Sequence, residues 1–155
     1  MMKPMRRTDC QTNREEAFRL LEQSKYITVA MLNEDGSPYC VVVDFILDDG
    51  KIYFHGAKEG QKMDCIRANP QVCVSAVPAA KTHADLLTTK YASVIVHGKA
   101  QEITSDAAKK DMILKLAKQI GSNDKVKQQE TLDAFFAGMA VVCIEIEEIT
   151  GKHSA

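Results

Sequence analysis

The densest chemistry in this chain lies in one octapeptide, His55-Gly56-Ala57-Lys58-Glu59-Gly60-Gln61-Lys62. Its two glycines let a ligand approach the backbone closely, and a helix opening behind Gly60 would offer free N–H donors to an anion. Lys62 adds a point charge in the first helical turn. That combination suits a phosphate, although a plain surface turn with solvated lysines uses the same residues. His55 follows Ile52, Tyr53 and Phe54. It could donate to a ligand, exchange a proton or satisfy a backbone carbonyl.

Other chemistries lack their residues. His83 and His97 stand at no metal-site spacing from His55, and HExxH, GxGxxG and Walker A patterns are all missing. Ser75 and Ser93 fall inside apolar runs, outside any GxSxG. The five cysteines form no CxxC, and their odd number argues for a reducing cytoplasm over a secreted disulfide framework. Cys40, Cys73 and Cys143 are expected to be small buried hydrophobes. The formal net charge of -1 creates no demand for nucleic acid or an anionic membrane surface. Lysines between Lys109 and Lys127 are interleaved with acids and read as a solvated face. The basic start MMKPMRR is followed by polar residues, unlike a signal peptide, and no apolar run reaches the length of a membrane span.

The 155 residues fit one domain, with an ordered core over about 5–150. Thr12-x-x-Glu15 matches a capping box, predicting a helix from Asn13 to Ser24. Strands are expected over Tyr26–Leu32, Tyr39–Leu47 and Lys51–His55, separated by the turn residues NEDGSP and Asp48-Asp49-Gly50. A short helix over Lys62–Ala68 ends before Asn69-Pro70, and Gln71–Val77 is a fourth strand. Pro78–Lys90 reads as a long loop. Tyr91–Ile103 is a strand with a bulge or bend at Gly98, Ser105–Ile120 a helix, Ser122–Gln129 an exposed polar stretch and Met139–Ile149 the last strand. Residues 151–155 are expected to fray. Six strands joined mostly by hairpins indicate a mainly β barrel or sandwich with accessory helices.

The order of four segments resembles the pyridoxamine 5′-phosphate oxidase-like, FMN-binding split barrels. They are Asn33-Glu34-Asp35-Gly36-Ser37-Pro38-Tyr39, Asp48 through His55, Gly60-Gln61-Lys62, and Ile66-Arg67-Ala68-Asn69-Pro70-Gln71-Val72. Within that family Tyr91–Ala100 and the start Met5–Asp9 are similar to the nitroimidazole-resistance branch. The likeness spans Met5 to Ile149.

The resemblance implies a six-stranded antiparallel Greek-key split barrel that forms a homodimer, with FMN at the subunit interface. Val41, Val42, Val43 and Asp44 would lie along the flavin ring. His55, Gly56 and Ala57 would approach the ring and ribityl chain, while Gly60, Gln61 and Lys62 would hold the phosphate. Tyr91 and Ser93 would come from the other subunit. His55 would contact the substrate or supply a proton. The implied activity is reduction of a small electron-poor molecule. The alternatives are a non-catalytic flavin- or haem-binding barrel, a deazaflavin-binding member, an interaction domain with an empty groove, and pyridoxamine-phosphate oxidation itself, for which an arginine-rich C-terminal segment is missing.

Overall fold

The computed structural model describes residues 2–154. Helix α1 (Arg14–Gln23) precedes strands β1 (Tyr26–Leu32), β2 (Pro38–Asp44), β3 (Ile46–Asp48) and β4 (Lys51–Ala57). Helix α2 (Gln61–Ala68) leads to β5 (Gln71–His83) and β6 (Thr88–Glu102). Helices α3 (Asp106–Gln119) and α4 (Lys125–Phe135) follow, and β7 (Met139–His153) completes the sheet.

All strand pairs are antiparallel, in the order β2-β1-β5-β6-β7-β4-β3. The two edge strands of that sheet are consecutive in sequence, separated only by Phe45. One bent length of chain therefore borders β1 with its first half and β4 with its second, curling the sheet on itself. The six expected strands become seven because the second breaks at this bend. Phe45 is buried there.

Inward-facing residues alternate along each strand, as a half-buried pleated surface demands. Val29, Val74, Val94, Val96, Ile52, Phe54 and Ile144 are essentially inaccessible and form the core. Burying each side chain of this size contributes about 1.5–3 kcal/mol. Helix α1 packs Ala17, Leu20 and Leu21 toward the same core. Its cap lies one residue beyond the expected box: Asn13 accepts from the Glu16 N–H at 2.8 Å, leaving the buried Thr12 hydroxyl without a partner. The register of β6 against β7 slips between His97 and Gly98, which places the expected bulge.

Three local expectations are corrected. The segment Pro78–Lys90 is a hairpin arm rather than a loop, because β5 and β6 keep pairing out to His83↔Thr88 beyond a bulge at Ala76/Ala79. The stretch after Ser122 enters a helix, α4, capped by Asp124, whose carboxylate accepts from the Val126 and Lys127 N–H groups. The C-terminal tail is held: β7 runs to His153, and Ser154 Oγ accepts from the Tyr91 N–H at 2.7 Å.

Candidate functional site: an open seam between two strands

The bend at Phe45 creates the site. Strand β3 pairs with β4 only over Lys51–Tyr53. From Phe54 to Ala57, β4 is paired on its β7 side alone, and β2 is paired with β1 alone. The edges of Val41–Asp44 and Phe54–Ala57 thus flank a seam in the barrel wall. Two of the segments implicated by sequence, Val41–Asp44 and His55–Ala57, meet here.

Strand alternation divides their side chains. Val43 is buried and Val41 packs against the core, whereas Val42 and Asp44 point out of the barrel. Val41 to Asp44 therefore do not present four side chains to one ligand face. What runs along the seam is their backbone edge. His55 also points outward, between inward Phe54 and Gly56, and it shares a cavity lining with Asp44.

The phosphate-type loop is pinned from below. Lys58 donates its N–H to the Gly138 carbonyl at 2.8 Å. Arg67 donates to the Lys58 carbonyl at 3.0 Å and forks onto Glu102. Gly60, at φ +118°, adopts a conformation that side chains resist, and it caps α2 without a side-chain hydrogen bond. The first N–H groups of α2 have no intrahelical acceptor. The Gln61 side-chain amide donates to Asn33 Oδ1 at 3.0 Å, and its backbone N–H is left for an anion.

Lys62 folds back against β4. Its Nζ lies 5.7 Å from the centre of the Phe54 ring, and it touches the space where a side chain at Gly56 would begin. Among the described residues it enters no ion pair. Burial pushes its pKa below the ordinary lysine value, because a desolvated ammonium lacks water's stabilisation. A half-buried cation without a counter-charge, beside a glycine and a helix start, is a fit to a phosphate.

Tyr91 and Ser93 are elsewhere. They pair with Ala80 and Lys152 on the β5–β6–β7 side of the barrel, and Lys152 Nζ lies 5.2 Å from the Tyr91 ring centre. One chain does not bring them to the seam.

The outer wall of β2, β1, β5 and β6 carries two cross-strand rows free of acids, lysine and arginine. Val42, Thr28, Ser75 and Ile95 form one, and Cys40, Ala30, Cys73 and His97 the other. Cys40 is exposed, while Cys73 and Cys143 are only half-buried. These thiols alternate outward between inward apolar neighbours, which corrects their expected burial. Cys65 is the buried one, and desolvation raises its pKa away from the reactive thiolate. Among the described residues no cluster of three metal-ligating side chains occurs, and no helix is long and apolar enough to cross a membrane.

Sequence reading missed the roof over the seam's outer side. Helices α3 and α4 cover a cavity of about 260 Å3, with Ile113, Leu116 and Leu132 as walls and His55, Asp44 and Gln128 as polar groups. The signal was the stripe Ile113, Leu116, Ala117, Ile120, which is indistinguishable from ordinary packing without α4.

A family model described as pyridoxamine 5′-phosphate oxidase matches residues 13–153. No curated protein matches the chain. Among solved structures, a candidate 5-nitroimidazole antibiotic resistance protein from Bacteroides thetaiotaomicron superposes with a TM-score of 0.76 at 18% identity, over 91% of this chain and 84% of that one. An FAD-binding protein from Mesorhizobium loti gives 0.63 at 21% identity, over 94% and 97%. An FAD- and haem-binding protein from Mycobacterium smegmatis gives 0.73 at 18% identity, over 93% and 73%. At these identities the likeness is one of fold.

Proposed function

Because the chain belongs to the pyridoxamine 5′-phosphate oxidase family, we propose that it binds a flavin, FMN, along the β2–β4 seam and serves as a reductase of small electron-poor molecules. The observation that carries this reading is Lys62, an uncompensated, half-buried ammonium at the start of α2 and against Gly56. It would hold the FMN phosphate together with the N–H groups of Gln61 and Lys62. Lys62 would act as a point charge and the helix end as an array of donors.

The bound flavin supplies the redox chemistry; the chain binds, orients and shields it. The backbone edges of Val41–Asp44 and Gly56–Ala57 would border the ring, and the small Gly56 permits close approach. His55, outward beside the seam, would donate a hydrogen bond or proton to the molecule being reduced.

The flavin site is completed in this proposal by a second copy of the chain, in a homodimer. The outer rows of β2, β1, β5 and β6, which hold no acid, lysine or arginine, support that pairing, because Val42 stands 63% exposed at the β2 end of one. Tyr91 and Ser93 would then reach the partner's seam. The likeness to a solved candidate 5-nitroimidazole antibiotic resistance protein makes nitroaromatic compounds the first substrates to try. The roofed cavity lacks arginine, which disfavours pyridoxamine phosphate as a substrate.

The test is an absorption spectrum of the purified protein with chromatography of the released cofactor, then dithionite reduction and mixing with nitrobenzene. Bound FMN, reoxidised by nitrobenzene faster than free reduced FMN, supports the proposal. Bound flavin that nitrobenzene does not reoxidise leaves a binding module. Failure to take up FMN removes the flavin reading altogether.

A further inference from the structure

The roof of the seam has a composition that selects its guest. Helices α3 and α4 lie over the outer face of β7, where Val141 is wholly buried beneath Ile113 and Leu132. Beside this small second core the cavity remains open, walled by Ile113, Leu116, Leu132 and Met139. Its polar groups are His55 and Asp44 on the strand side and Ser122, Lys127, Gln128 and Thr131 on the helical side. Gln128 is already committed through its amide N–H groups, donating to the Ser122 carbonyl and hydroxyl at 3.1 Å each. Its side-chain oxygen is left as an acceptor. His55 and Asp44 are common to the cavity and the seam.

The helical roof is anchored where the seam begins. Gln119 of α3 donates to the Phe45 carbonyl at 2.7 Å, and Lys115 pairs with Asp48 of β3 at 3.3 Å. The cavity is thus held against the strand bend that opens the barrel. Its volume of about 260 Å3 lies near the lower limit of pockets for drug-sized ligands, roughly 300–1,000 Å3. One carboxylate, Asp44, and one lysine, Lys127, stand in the lining, so a phosphate or other dianion finds no cationic cluster.

We propose that this cavity is a specificity pocket for a neutral, flat molecule of roughly single-ring size, which inserts its apolar body between α3 and α4 and leaves its polar end at His55. The pocket's position beside a flavin rests on the function proposed above; its occupancy by such a molecule does not. The walls come from a helical pair inserted between β6 and β7, so the insertion sets which molecules reach the seam.

The probes are nitrobenzene and 4-nitrophenyl phosphate, which share a ring and differ in charge. Binding is followed by the methyl resonances of Ile113 and Met139, in full-length protein with and without FMN. The expected result is saturable nitrobenzene binding at both methyls, at least tenfold tighter than the phosphate ester. Filling the cavity with Ala117→Phe should weaken it at least tenfold without changing FMN affinity. The exposed position Thr131→Trp is a second filler should the first variant fail to fold. Nitrobenzene binding that is indifferent to a folded filler variant, or tighter binding of the phosphate ester, overturns the proposal. Binding in FMN-free protein separates the two readings: a protein that takes nitrobenzene but not FMN keeps the pocket and loses the flavin, and the converse loses the pocket alone.

Discussion

Lys62 and Gly56 are complementary in a literal sense: the lysine ammonium occupies the position where any side chain at residue 56 would begin. The glycine lets a cation from α2 reach the edge of β4. The colliding atom is the far end of a flexible side chain, so an added methyl displaces charge rather than backbone. Gly56→Ala should leave thermal stability within about 1 kcal/mol and weaken FMN binding roughly tenfold. Lys62→Ala should weaken it by tenfold to a hundredfold, the range of a lost charge-assisted hydrogen bond of about 1.5–3 kcal/mol. Equilibrium titration of FMN fluorescence measures both. Full affinity in Lys62→Ala would remove the phosphate assignment.

The same lysine gives a pH dependence. Burial holds its folded pKa below the ordinary 10.5, so between the two values the unfolded chain binds more protons than the folded one. Stability without ligand therefore rises with pH across that window. FMN affinity moves oppositely, falling as pH climbs through the depressed pKa and the phosphate loses its ammonium. Lys62→Arg keeps its charge throughout and should hold its affinity over the same range. Parallel titrations of the two proteins test this, and a wild-type curve as flat as the arginine variant's would contradict it.

Gly98 answers to a different constraint. A Cβ there would strike the backbone carbonyl of Glu145 on the neighbouring strand, and backbone in the middle of a sheet cannot step aside. The bulge at His97/Gly98 depends on that close approach. Gly98→Ala should destabilise the fold by about 1–3 kcal/mol, as overpacking does, and denaturant unfolding would read it. It should leave FMN affinity unchanged in the folded fraction, because the strain falls between β6 and β7 at Glu145, away from the β2 and β4 edges and from Tyr91 and Ser93.

How much of this was legible depended on whether a residue's role was local. Strands such as Tyr26–Leu32 and the helix behind Ser105 announce themselves through alternation, caps and stop signals. Asp48-Asp49-Gly50 fixes the β3–β4 turn by its positive φ values at Asp49 and Gly50. The resemblance carried the barrel and the two strand segments at the seam. Helix α4 stayed hidden because Leu132 is its one buried residue, which leaves almost no periodic stripe. Thr12 mimicked a cap that Asn13 supplies, because both precede a glutamate by three residues. The arm from Pro78 to Lys90 lacks the apolar alternation of a core strand, since it extends beyond the core and pairs only with itself. The break at Phe45, which makes the seam, is a matter of where two partner strands diverge, and no spacing records that.

Val42 tests the assembly. It sits outward and 63% exposed on β2, in line with Thr28, Ser75 and Ile95. A charge there costs an isolated chain little, within about 0.5 kcal/mol, because the side chain already meets water. In a dimer joined through this wall the same charge would be desolvated without a partner, which is strongly unfavourable. Val42→Arg should therefore convert a dimer into a folded monomer by sedimentation velocity and lose FMN with it. An unaltered dimer would place the interface on another face.

The link between Gln119 and the Phe45 carbonyl is the last element with a separable consequence. It is a single 2.7 Å hydrogen bond from the end of α3 to the bend between β2 and β3, supported by Lys115 and Asp48 on the same pair of elements. A bond of this kind contributes about 1 kcal/mol net, so Gln119→Ala should shift global stability only slightly. Its effect should be local: amide hydrogens at the C-terminal end of α3 should exchange several-fold faster, while those of β5 and β6 stay protected. If the roof helps select the molecule reaching His55, the variant should also lose discrimination between nitrobenzene and 4-nitrophenyl phosphate, through weaker nitrobenzene binding, with FMN affinity intact. Faster exchange with unchanged discrimination would make the latch purely structural. Uniformly faster exchange would mean that the bond holds the barrel itself, through the bend that lets one strand serve both edges.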